Sequence, residues 1–149
     1  MDKKHIPFTF AKPEDSPGFL LWQVTMIWQR KIREVIETYS ISHAQFVIMA
    51  VLKWYQMQGC ATNQSLLIDL TKLDKMTVSK SLKKLALLGY VQRAEDTNDT
   101  RAKTVVLTNK GSQLIMLLIP KVEKADLLFF GSVSIDDQKH FMKILKKLI

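Results

Sequence analysis

A chain of 149 residues with 22 Lys and Arg against 14 Asp and Glu has a formal charge of +8, which points to one basic domain with a polyanionic partner. Its 47% hydrophobic content allows a core without cross-links. Its single cysteine, Cys60, excludes a disulfide framework or a Cys-rich zinc site and fits a reducing compartment.

Residues 1–16 are polar, include Pro7 and Pro13, and hold no sustained period, so they read as an arm. Pro, Thr, Lys and acids stand where a signal peptide needs an apolar stretch, and a cytoplasmic location is expected. At Pro17 a helical period begins, with Leu21, Trp28, Ile32, Val35 and Tyr39 at spacings of three, four or seven. A second line of Leu20, Val24 and Ile27 makes the apolar face wider than a monomer needs, and part of it is expected to meet another chain.

Ser42, three residues before Gln45, predicts a capping box opening a second helix through Phe46, Val47, Met49, Ala50, Leu52, Lys53 and Trp54, which Gly59 stops. Thr62 or Asn63 caps a shorter third helix with Leu66, Leu67 and Leu70 inward. After the turn at residues 71–73, Asp74 caps a fourth helix whose buried stripe is Val78, Leu82, Leu85 and Leu88, and Gly89 ends it.

Two extended segments follow, YVQRAED and KTVVLT, joined by the polar turn TNDTRA, which predicts a β-hairpin. Thr108 caps a long fifth helix. Its residues 114–119 are apolar all round, too few to cross a bilayer, and are expected to be buried on more than one side. Pro120 predicts a kink or a break. Ser134 with Asp137 opens an amphipathic terminal helix through Phe141, Ile144, Leu145 and Leu148.

Two short helices joined by a tight turn and followed at once by a hairpin make a winged helix-turn-helix, whose chemistry is DNA binding. The predicted fold is mainly α with a small β-hairpin wing. Residues 1–16 form the arm, 17–41 and 109–149 the dimerisation helices, and 42–108 the DNA-binding lobe. Between positions 75 and 93 there are five basic residues, Lys75, Lys80, Lys83, Lys84 and Arg93, and no acid, which is an electrostatic footprint. Lys75, Thr77, Ser79 and Lys80 suit base edges and groove walls, Lys83 or Lys84 suits phosphates, and Arg101 with Lys103 would sit on the wing. A solvated lysine face explains the charge alone, but not the order of elements around it.

The segment LDKMTVSKSLKKLALLGYVQR resembles the recognition helix and first wing strand of MarR-type bacterial transcription regulators, and DTNDTRAKTVVLTNKG resembles their wing and the start of their fifth helix. The Asp-x-Arg pair of that family's wing falls on Asp99 and Arg101. The resemblance implies a homodimer with interlocked terminal helices bound to double-stranded DNA at a pseudo-palindromic site, a repressor, and a small aromatic or anionic effector. The apolar excess at the chain ends points to a dimer independently of the family.

Enzyme chemistry is not supported. His5, His43 and His140 stand beside no nucleophile motif, and no Gly-rich phosphate loop is present. Asp136 or Asp137 with His140 reads as a solvated helical pair rather than half a metal site. No catalytic residue, metal or cofactor is expected. Cys60 has neither an adjacent cation nor a second thiol to resolve a sulfenic acid. Trp22, Met26 and Met49, with Trp28, Trp54 and Met57 nearby in sequence, are candidate walls of an effector pocket, although such residues at helical spacing usually pack as core. The rival functions are a winged-helix protein-interaction module and a small-ligand or redox sensor without an operator.

Overall fold

Each helix begins where a short polar side chain satisfies backbone N–H groups that have no partner inside the helix. The computed structural model describes residues 6–95 and 103–149. In it, Ser16 caps α1 (Pro17–Ile36), and Ser42 and Gln45 form a reciprocal box at α2 (His43–Met57), with bonds of 3.1 and 2.9 Å. Asn63, not Thr62, caps α3 (Gln64–Thr71), and Asp74 caps α4 (Lys75–Leu87). Thr108 caps α5 (Asn109–Phe130) and Ser134 caps α6 (Ile135–Lys146). Lys72, in the left-handed region at φ 57°, ends α3, so α3 and α4 are separated by three residues, the tight turn of a helix-turn-helix.

Between α4 and α5 run β1 (Val91–Glu95) and β2 (Lys103–Leu107), antiparallel with Val91 opposite Leu107 and Arg93 opposite Val105. The hairpin is anchored in a way the sequence did not announce. The Val105 N–H donates to the Thr62 carbonyl at 2.8 Å, and the Thr62 hydroxyl donates back to the Val105 carbonyl at 2.9 Å. Thr62 is therefore a buried, satisfied link between the wing and the segment before α3.

One core joins these elements. Ile32 and Ile36 of α1, Ile48, Met49 and Leu52 of α2, and Leu67 of α3 meet Val78, Leu82 and Leu85 of α4, Val91 and Val105 of the hairpin, and Ile115 and Leu118 of α5. Leu70 is largely exposed and Leu88 half-buried, so α3 turns only Leu67 fully inward and the α4 stripe ends at Leu85.

Of the kink or break expected at Pro120, the break does not occur, since α5 runs unbroken past it. The carbonyl deprived of its N–H donor belongs to Met116, four residues back, on an exposed side where water can serve it. Nor is the apolar run buried all round. Ile115 and Leu118 are inward, while Met116 and Leu117 are 59% and 50% exposed within this chain. No single helix among the described residues is long and apolar enough to cross a membrane.

The end of α4 is fastened to the start of α5 by close backbone approach. Gly111 lies against Tyr90 so closely that a Cβ there would overlap the Tyr90 carbonyl. Backbone on both sides leaves no flexible neighbour to yield. Gly111→Ala should therefore destabilise the fold by about 1–3 kcal/mol or more, read as a lower urea midpoint with unchanged slope. A variant as stable as the parent would show that the two segments can separate at little cost.

Candidate nucleic-acid interface

The fourth helix displays its charge because the rest of it is held down. Val78, Ser81, Leu82 and Leu85 are buried, which turns Lys75, Met76, Lys80, Lys83 and Lys84 outward; Thr77 and Ser79 are partly covered. The Asp74 carboxylate accepts from the Thr77 N–H at 2.8 Å and from the Thr77 hydroxyl at 2.6 Å. Those bonds, the hydroxyl's first, hold the Asp74 carboxyl below its ordinary value, so the cap is ionised at neutral pH and complements the positive end of the helix.

This geometry alters the sequence-based assignment at one position. The Thr77 hydroxyl spends its proton on Asp74 and retains only acceptor capacity for a base edge. The side chains of Lys75, Lys80, Lys83 and Lys84 are all exposed. Arg93 on β1 belongs with them, its guanidinium making a long contact of 3.5 Å with the Ser79 carbonyl. Lys103 opens β2, whereas Asp99 and Arg101 lie outside the described residues. Met76, exposed at the start of the same helix, is not among the residues that the sequence singled out.

The candidate pocket residues lie on α1, with Trp22 and Met26 four residues apart, and on α2, with Met49. Met49 is fully buried in the core, while Trp22 is 61% exposed. Neither they nor Met26 line the two principal cavities among the described residues. The larger, of about 820 Å³, is an apolar groove between α1, the second half of α5, and α6, lined by Val24, Leu127, Phe130, Phe141 and Leu145 among others.

A different set converges where α1, α2 and α5 meet. The Trp28 indole donates to Asp126 at 2.7 Å and meets the His43 ring edge-on at 5.2 Å. Burial pushes the His43 pKa down from 6.5; the Asp126 carboxylate partly opposes this and Arg33 adds to it. Among the described residues, no group of three or more His, Cys, Asp or Glu side chains converges on a metal-sized site. Cys60 is exposed.

A basic helix presented by a helix-turn-helix, backed by a hairpin, defines a winged-helix transcriptional regulator. Comparison with known proteins narrows the class. Residues 37–124, more than half of the chain, match the family model described as ArnR1-like, winged-helix domain. The HTH-type transcriptional regulator YdcH of Bacillus subtilis is 31% identical over 140 residues, covering 94% of each chain. Among solved structures, Bordetella bronchiseptica BpsR, described with the regulation of its DNA binding by 6-hydroxynicotinic acid, matches with a TM-score of 0.83 and 23% identity over 96% of this chain and 97% of that one. A variant of E. coli MarR complexed with operator DNA gives 0.77 and 21%, covering 95% and 99%. The chain belongs to the ArnR1-like winged-helix family and is a transcriptional regulator with a DNA-binding helix-turn-helix, and its fold is that of the MarR structures.

The His43 cluster yields a pH dependence. With its folded-state pKa below 6.5, the unfolded chain binds the proton more readily, so stability falls as pH drops from 6.5 through the folded value and is restored as pH rises. His43→Phe retains a ring against Trp28 without the proton. Urea midpoints between about pH 5 and pH 7.5 should vary less in the variant than in the parent. Equal slopes, or a His43 resonance titrating above 6.5, would contradict the assignment.

Proposed function

We propose that this protein is a cytoplasmic repressor that binds a pseudo-palindromic operator as a homodimer. In this reading α4 enters the major groove, with Lys75, Thr77, Ser79 and Lys80 at base edges and groove walls. Lys83 or Lys84 meets phosphates, and the wing adds Arg101, oriented by Asp99, and Lys103. The observation that carries the reading is the exposed face of α4, on which every charge is positive while the helix is pinned by its opposite face to the core.

Residues 42–108 form the DNA-binding lobe and residues 17–41 with 109–149 the dimerisation stem. The support for the stem is α6, which has no buried residue although Phe141, Ile144 and Leu145 share one face. A helix of 12 residues gains little stability alone, and a second protomer supplies the cover that this face and the exposed Leu20, Leu21 and Ile27 of α1 need. A small aromatic anion acts as the releasing ligand at the junction of stem and lobe. Its candidate contacts are Trp22, Met26 and Met49, and BpsR supplies the precedent of a hydroxynicotinic acid effector.

Titration against fragments of the protein's own upstream region, with random DNA as competitor and at two salt concentrations, tests the reading. Selective binding with two protomers per site is expected. Lys80→Ala should weaken binding and relax sequence preference, and Arg101→Ala should weaken binding and reduce the salt slope by about one unit, each leaving thermal stability close to that of the parent. Binding without sequence preference that disappears with salt would favour a protein-interaction module on the same scaffold.

A further inference from the structure

Met76 is the anomaly of the basic surface. It is the second residue of α4 and 65% exposed, and it takes no part in the core cluster. Its neighbours on the outward face are Ser79, Lys80 and Lys83, three, four and seven residues on, so in the first two turns of α4 it is the one apolar side chain on a polar and cationic face, the exposed Leu87 lying at the far end of the helix. We infer that Met76 is a base-reading side chain, its thioether and terminal methyl packing against the C5-methyl of a thymine in each half-site.

The inference rests on the proposed major-groove placement of α4 and adds the chemistry of one contact. A recognition helix presents its N-terminal residues to base edges, and in this helix those residues are Lys75, Met76 and Thr77. The Thr77 hydroxyl donates to Asp74 at 2.6 Å, which removes the one neutral hydrogen-bond donor among these three side chains. An unbranched thioether and an ammonium remain at the tip. The major-groove edge of thymine carries the apolar C5-methyl, and cytosine, guanine and adenine have no such group there. A Met side chain, with three rotatable bonds and a polarizable sulfur, adapts to such a surface without a fixed register. Lys80, one helical turn further on, lies on the same face and reaches toward the backbone or a guanine beside it.

Deoxyuridine provides the test, because it removes the methyl and leaves the pairing and groove acceptors unchanged. A preferred duplex is selected from a random library with the parent protein, and each thymine in one half-site is replaced in turn by deoxyuridine. The parent should lose about four-fold in affinity at one or two positions, the equivalent of about 0.8 kcal/mol for a buried methyl, and Met76→Ala should bind thymine and deoxyuridine duplexes equally. Met76→Ala should also keep the parent's salt slope, since it removes no phosphate contact. Selective binding that no thymine replacement alters, or a methyl dependence that persists in Met76→Ala, would overturn the assignment with the DNA reading intact. Failure to select any preferred duplex would overturn the DNA reading, and this assignment with it.

Discussion

The junction between the end of α4 and the start of α5 sets the position of everything that could touch DNA. Tyr90 N–H donates back to the Leu85 carbonyl at 2.9 Å, while the Tyr90 carbonyl accepts from Thr108 N–H at 3.0 Å. The Thr108 hydroxyl donates to the Gly89 carbonyl at 2.6 Å, and Lys110 donates to the Leu88 carbonyl at 2.9 Å with its ammonium 5.0 Å from the centre of the Tyr90 ring. Each such bond contributes only about 1 kcal/mol net, but together they close the free carbonyls of one helix onto the capping residue of the next. The absence of a side chain at Gly111 makes that approach sterically possible. The fourth helix and α5 are consequently joined end to end, with the hairpin emerging between them.

That arrangement has an electrostatic consequence. The α4 segment ends at a backbone knot, its apolar side is committed to the core, and its first turn is tied to Asp74, so its lysines project from a rigid support. Long cationic side chains lose rotamer entropy when they grip a phosphate; a fixed backbone leaves the side chain as the only part to be ordered on binding. The ionised Asp74 stands at the same end of the helix as Lys75. It complements the helix dipole, and it opposes a phosphate that approaches the helix terminus directly. The favourable route for the polyanion therefore runs along the flank where Lys80, Lys83 and Lys84 stand.

Much of this was legible in the sequence because the signals are local. A cap needs one oxygen at one position relative to the first free N–H groups, which is why Ser42, Asp74, Thr108 and Ser134 could be read in advance. Gly89 likewise ends α4 at φ 78°, a conformation that costs glycine least. What failed was the inference from apolarity to burial. Residues 114–119 read as buried on more than one side, yet Met116 and Leu117 face outward in one chain, since hydrophobicity records that a surface is covered without saying whether its own chain covers it. The pairing of Thr62 with Val105 joins segments 43 residues apart and has no local signature at all.

The distribution of burial divides the molecule into a part that is complete and a part that is not. α2, α3, α4 and the hairpin each place at least one residue fully inside the common core, and α5 does so through Ile115 and Leu118. By contrast, α6 buries none, and the outer half of α5 exposes Leu127 and Leu128. A dimer assembled through those surfaces would acquire its stem on association while each lobe stays folded as it is. Because α5 runs unbroken from Thr108 to the stem, any change in how two protomers pack would rotate α5 and, through the Tyr90 and Gly111 contact, the recognition helix with it. The Trp28 to Asp126 bond ties α1 to that same helix at 2.7 Å, beside the half-buried His43 at the start of α2. A ligand or proton that altered this junction would act on α1, α2 and α5 together, and in a dimer a small displacement there would reach α4 of both chains.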